Sequence, residues 1–262
     1  MKKSITRLVD NIDILELDVY SSLRENVFRN DNSFIADSPK VVNLILKNDI
    51  QIKSILATAE YYNEFSELID KNEIPLKYIT TKAEMKKIVG HKIHHNCMLH
   101  GIRPKNINIE DIGVSAVLLD NITSSENVGS IVRSCVAIGI DSLLISKETP
   151  HPFNRRSLRV SMGHSSMIKT HIYNSIIDTI LILKELGYKV YAAEVYDGSV
   201  ELSKVDVSKK WILILGHEGR GISKEVLDLC DEVVSIEMQD GIKSFNVSVA
   251  AAIIMYQFKN NK

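Results

Sequence analysis

Three groups of polar residues stand where a reaction could use them. Asn127 ends a polar loop (residues 121–127), and Arg133 follows six residues later on a helix expected over 128–138. Val128, Ile131, Val132, Cys135 and Val136 form the apolar stripe of that helix, which leaves Ser130, Arg133 and Ser134 on the opposite face. Glu218 lies among Gly216, Gly219 and Gly221, directly after the apolar run 211–215. Three glycines in six residues let backbone approach a ligand closely, and a glutamate held among them strengthens that signal. The spacing is neither the dinucleotide fingerprint G-x-G-x-x-G nor a P-loop, since no Gly-Lys-Ser/Thr follows. Ser244 and Asn246 occupy N-cap positions before the last helix, at the end whose free N–H groups and positive dipole favour a polar ligand. Plainer readings exist: Arg133 as a solvated helix arginine, and the last helix as a capped core helix.

A fourth group is cationic. Arg155, Arg156 and Arg159, with His151, His164 and Ser161, fall within residues 150–164, the most cationic stretch of the chain. Guanidinium forks suit phosphate oxygens, although a merely solvated loop accounts for the stretch equally well. A net charge of −1 neither predicts nor excludes a nucleic-acid partner, because a local patch is enough. His91, His94, His95 and His100 raise the question of a metal, but Cys97 is the one nearby thiol and no carboxylate spacing accompanies them. No metal is expected. Cys97, Cys135 and Cys230 are odd in number and widely spaced, which excludes a disulfide framework and fits a reducing cytosol. No signal peptide opens the sequence, and no apolar run approaches the roughly 18 residues of a membrane span, so a cytoplasmic protein is expected.

The elements that must position these residues alternate between helix and strand. With 262 residues, 45% of them hydrophobic, the chain can bury a proper core in one or two domains. Residues 1–30 read as helix from the spacing of Val9, Ile12, Leu15 and Val19. Ser38-Pro39 starts a helix, 50–57 alternates as a strand, 61–69 is helical, and 75–79 is a short strand. Thr81 and Glu84 form a capping box for a helix closed by Gly90. Residues 101–110 have turn residues and little periodicity, as a linker would. Strands at 115–120, 142–146, 189–193 and 211–215, with helices at 128–138 and 176–186, continue the α/β alternation. The last helix is apolar almost all round. Val247, Ala250, Ala251, Ile254 and Phe258 mark one face and Val249, Ile253 and Tyr256 the other, so it belongs in a core or a subunit interface.

Taken together, three of these segments resemble the motifs of the SpoU (TrmH) family of RNA ribose 2′-O-methyltransferases, of the SPOUT class. Asn127-x-Gly129-x-x-x-Arg133 is similar to the first motif, the run from Leu215 through Glu218 to Gly221 to the second, and Ile236-x-Met238 through Ser244, Phe245 and Asn246 to the third. The order and the spacing to the last residue also match. Glu237 stands at the family's usual proline position, Phe245 at a usual leucine, and His217 at a usual asparagine or serine. Residues 1–105 resemble more loosely the family's ribosomal-protein-like (L30e-like) RNA-binding domain, with Phe34-Ile35-Ala36-Asp37 at its opening motif.

The resemblance implies an α/β fold of two domains: an RNA-binding domain (1–105), a linker (106–112) and a methyltransferase domain (113–262) with a parallel sheet and a deep trefoil knot. It implies S-adenosylmethionine as cofactor, no metal, and a homodimer through the C-terminal domain. Leu215, Gly216, Gly221, Ile236, Met238, Ser244 and Phe245 would hold the cofactor. Asn127, Arg133, Glu218 and Asn246 would form the catalytic set, with Arg133 at the 2′-hydroxyl and either Arg133 or Glu218 handling its proton. Arg155, Arg156, Arg159 and Ser161 would grip RNA phosphates. Ribosomal RNA is the expected substrate, ahead of transfer RNA, and a housekeeping or an antibiotic-resistance role is open. A non-catalytic RNA-binding assembly factor is the alternative; the intact catalytic set argues against it.

Overall fold

The structure, a computed structural model, describes residues 4–9, 15–21, 31–90 and 94–260. It contains two compact units: residues 1–105 with 153–166, and residues 106–152 with 167–262. Up to residue 105 the elements are β1 (Ile5–Leu8), α1 (Asp18–Ser21), β2 (Ser33–Asp37), α2 (Pro39–Ile45), β3 (Gln51–Ala57), α3 (Ala59–Glu64), α4 (Ser66–Asp70), β4 (Leu76–Ile79), α5 (Lys82–Val89) and β5 (Cys97–Ile102). Their sheet has the order β1-β4-β3-β5-β2, with β5 antiparallel to both neighbours.

Two expectations fail here. Ile5 to Leu8 form a strand paired parallel with Leu76 to Ile79, not a helix, because an open sheet edge outweighs a helical spacing of apolar residues. Ile12 of that expected helix lies outside the described residues. The start of the stretch expected as a linker, with His100 before it, is instead β5, an inner strand of the sheet paired on both sides. The capping box of α5 is present, with the Glu84 N–H donating to Thr81 Oγ1 and the Thr81 N–H to Glu84 Oε2, and Gly90 ends the helix at φ 73°.

The second unit carries β6 (Ser115–Leu119), α6 (Ser125–Ile138) and β7 (Ser142–Ser146). After α7 (Arg155–Val160), which packs in the first unit, come β8 (Lys169–Tyr173), α8 (Ile176–Glu185), β9 (Lys189–Ala193), β10 (Val200–Glu201), β11 (Trp211–Leu215), α9 (Lys224–Leu229), β12 (Glu232–Ser235) and α10 (Val247–Asn260). All seven strands run parallel in the order β10-β12-β9-β11-β6-β7-β8. Every residue of β6, β7 and β11 is buried, as a parallel sheet covered on both faces requires. On one face α6 and α10 close a core with Val132, Cys135, Ile254 and Phe258; on the other, α8 and α9 contribute Ile180, Leu183 and Val226. Residues 106–112, expected as a linker, belong to this unit. Ile109 and Ile112 are buried in its core, and the Ile107 N–H bonds the Thr170 carbonyl.

Candidate active site

The carboxyl ends of β9, β11 and β12 open into a pocket of about 410 Å³. Its lining includes Leu215, Gly216, Gly221, Ile236, Met238, Ser244 and Phe245, all seven residues that the motif resemblance pointed to. A crevice beyond the carboxyl ends of parallel strands is where α/β folds place ligands. Gly216 has no room for a side chain, since a Cβ there would stand 2.5 Å from Ile222 Cγ1 and 2.7 Å from the Gly221 carbonyl carbon.

A chain of side-chain amides runs along the pocket rim. Ser124 caps α6 by accepting from the Asn127 N–H at 3.3 Å, so the helix starts three residues before the expected position and Asn127 lies in its first turn. Asn127 Nδ2 donates to Glu218 Oε1 at 2.8 Å, and Asn246 Nδ2 donates to Asn127 Oδ1 at 3.2 Å. Asn246 Oδ1 in turn accepts the Ser248 N–H at 2.9 Å, capping α10. The direction of this chain is fixed at both ends: a carboxylate can only accept and a backbone N–H can only donate. The structure thus joins one polar residue from each of the three motifs.

Glu218 is the hub. Besides Asn127 it accepts from the Thr123 N–H (3.2 Å), Thr123 Oγ1 (3.3 Å) and the Ser124 N–H (3.2 Å). Partial burial pushes its carboxyl up, but Asn127 and the backbone N–H groups outweigh that and hold it below the ordinary carboxylate value. Arg133 is not part of the network. It is exposed on α6, and among the described residues it forms no hydrogen bond or ion pair with Asn127, Glu218 or Asn246.

Several contributors were not legible in sequence. Thr123 and Ser124 hold Glu218 only because the 120–124 loop folds under it. Glu194, the first residue after β9, lines the pocket and accepts the Ile222 N–H at 3.0 Å; an ionisable residue directly after an apolar strand was the available signal. Asp120 holds the same place after β6, and burial raises its carboxyl above the usual range. His217 turns the glycine loop through Nδ1, which accepts from the Gly219 and Arg220 N–H groups at 2.9 and 3.3 Å. Glu237, at the position usually proline, accepts the Ser203 N–H at 3.1 Å.

The cationic stretch is a correction. Its middle, Arg155–Val160, is the helix α7, and its residues differ in accessibility. Ser161 is fully buried and bonds the Leu158 carbonyl and Ser165 Oγ, so its hydroxyl is unavailable to a phosphate. Arg155 is three-quarters buried in an ion pair with Asp37, which Arg159 also approaches at 3.6 Å. Arg156 is exposed. Among the described residues no group of His, Cys, Asp and Glu could hold a metal ion, and no helix is long and apolar enough to cross a membrane. His91 lies outside the described residues.

Comparison with known proteins meets this geometry. An uncharacterised tRNA/rRNA methyltransferase of Borreliella burgdorferi is 28% identical over 211 residues, 75% of this chain and 92% of that protein. One of Mycoplasma genitalium is 34% identical over 146 residues, covering 55% of this chain and 60% of its own length. The fold is that of an AdoMet-bound rRNA methyltransferase from Sinorhizobium meliloti, with a TM-score of 0.84 over 97% of both chains at 21% identity. Residues 115–256 match the model of the SpoU rRNA Methylase family, and with more than half of its length so matched the chain belongs to that family of RNA methyltransferases.

Proposed function

We propose that this protein transfers a methyl group from S-adenosylmethionine to a ribose 2′-hydroxyl of RNA, ribosomal RNA ahead of transfer RNA. The observation that carries the reading is the sharing of Glu218 and Asn246 between the pocket lining and the amide network, so the ligand and the polar groups meet at one rim. The pocket suits the cofactor. Ile236, Met238 and Phe245 offer apolar walls for a purine, and the side-chain-free Gly216 exposes backbone to a polar group. When bound, S-adenosylmethionine supplies a methyl group on a cationic sulfonium, open to attack by the ribose oxygen.

The chain's own residues then have separable roles. Asn127 and Asn246 orient the ribose, and Glu218 anchors Asn127; a carboxylate with four donors is a poor proton acceptor. Arg133 stabilises the developing alkoxide, because a guanidinium keeps its proton and works by charge. Arg156 and Arg159 meet RNA phosphates. The second unit, its C-terminal loops threaded as the family's trefoil knot, pairs with a copy of itself through the outer face of α10, where Val249 and Tyr256 are 45% and 64% exposed.

The test is incubation with methyl-labelled S-adenosylmethionine and separate unmodified ribosomal and transfer RNA pools, followed by nucleoside mass spectrometry. A labelled 2′-O-methyl nucleoside from ribosomal RNA is expected. Arg133→Ala should abolish it with cofactor affinity kept. Label on a base instead, or wild-type turnover in that variant, would overturn the assignment.

A further inference from the structure

Glu194 is absent from all three motifs, yet it shapes the pocket. Its Oε1 accepts the Val195 N–H at 3.0 Å and its Oε2 the Ile222 N–H at 3.0 Å, so one carboxylate ties the end of β9 to the turn that closes the glycine loop. Gly221 yields to it: a Cβ at that residue would stand 2.3 Å from Glu194 Oε2, and the backbone there is at φ +64°. Each carboxylate oxygen has a second lone pair free of these bonds. Among the described residues the pocket lining contains two carboxylates, Glu194 and Glu218, and no lysine or arginine. His217 is turned toward the loop backbone, its Nδ1 accepting from the Gly219 and Arg220 N–H groups.

We propose that Glu194 is a specificity-determining residue that makes the pocket prefer the cationic sulfonium cofactor over its neutral thioether product. The inference rests on the cofactor reading above. Methyl transfer removes one positive charge from the pocket, because the bonding pair stays on sulfur and the proton of the attacking hydroxyl goes to solvent. The attraction of Glu194 is lost in the same step, which favours product departure and exchange. Glu218, saturated by four donors, contributes less to the difference than Glu194, whose two bonds leave it facing the ligand.

The experiment is calorimetric titration of the full chain with S-adenosylmethionine and S-adenosylhomocysteine, for wild type, Glu194→Gln and Glu194→Ala. Glu194→Gln removes the charge and keeps an oxygen for the Ile222 N–H that pins the turn, giving up the local bond from the adjoining Val195 N–H. Its affinity for the sulfonium should fall roughly tenfold, with the thioether affinity within about twofold, as expected for one charge acting in a partly solvated site. Glu194→Ala should weaken both ligands through loss of the turn, and sulfonium more. Equal weakening of both ligands in Glu194→Gln would leave Glu194 as a structural pin and overturn the proposal. Wild-type protein that binds neither ligand would overturn the cofactor reading itself, a distinct result.

Discussion

At the residue scale, Asn127 carries the most. Its amide links the glycine-loop carboxylate to the cap of α10, and it does not itself line the pocket. Removing it separates two functions that most substitutions would confound. Asn127→Ala should lower methyl transfer by about a hundredfold, the scale of losing one aligned polar group at a reacting centre, while the dissociation constant for S-adenosylmethionine changes little. The pH profile adds a second readout. Glu218 has its pKa depressed in the folded protein, so the network is intact at neutral pH and is lost only as pH falls through a value below the ordinary glutamate pKa of about 4.3. Without the Asn127 donor that pKa moves up, and the acid limb of the activity profile should shift to higher pH. An acid limb that stays in place, or cofactor affinity that falls in step with turnover, would mean that Asn127 acts through the pocket instead.

At the element scale, α6 and α10 hold the catalytic ends of two motifs together because their apolar stripes share one core. Phe258 is almost fully buried at the far end of α10, with its ring 4.8 Å from Tyr191 and 5.2 Å from Trp211, both edge-on. Phe258→Ala should destabilise the second unit by about 3–5 kcal/mol, the usual range for deleting a buried aromatic, as measured by denaturant titration. A loss below about 1 kcal/mol would show that α10 is held chiefly by its N-terminal cap. These helices were legible in sequence because period 3.6 is a strong signal over fourteen residues. Strands β6, β7, β9 and β11 were legible as short apolar runs. The strands β8, β10 and β12 were not: they are edge or near-edge, two to five residues long, and include Lys169, Glu201 and Glu232. The pocket residues could be named because they sit in motifs with fixed spacing. Glu194, Thr123 and Ser124 could not, since their roles depend on which strand ends the topology sets side by side.

At the scale of the whole molecule, chain order and unit membership disagree. Residues 153–166 follow three elements of the second unit, yet they fold into the first. The cause is visible in the side chains. Phe153 is 4% exposed and packs edge-on against Phe34 at 4.9 Å, Leu158 is 1% exposed in the same core, and Asp37 holds Arg155. A sequence pattern reads arginines in this segment as a nucleic-acid surface, and the fold uses one of them as an internal ion pair. The two roles can be pulled apart. Arg156→Ala should weaken RNA binding and lower its salt dependence by about one unit of slope, as for one phosphate contact. Phe153→Ala should instead act on folding. By hydrogen exchange, amides of β2 and β5 should lose protection by an amount set by the roughly 3–5 kcal/mol of a deleted buried ring, because those strands carry Phe34 and Leu99 of the shared core. Amides of β6 and β7, which precede residue 153 in the chain, should keep theirs. If β6 and β7 open and β2 does not, the segment belongs energetically to the unit that it interrupts. Were β2 and β5 alone to open, the first unit would be a fold completed only after the chain has already built part of the second.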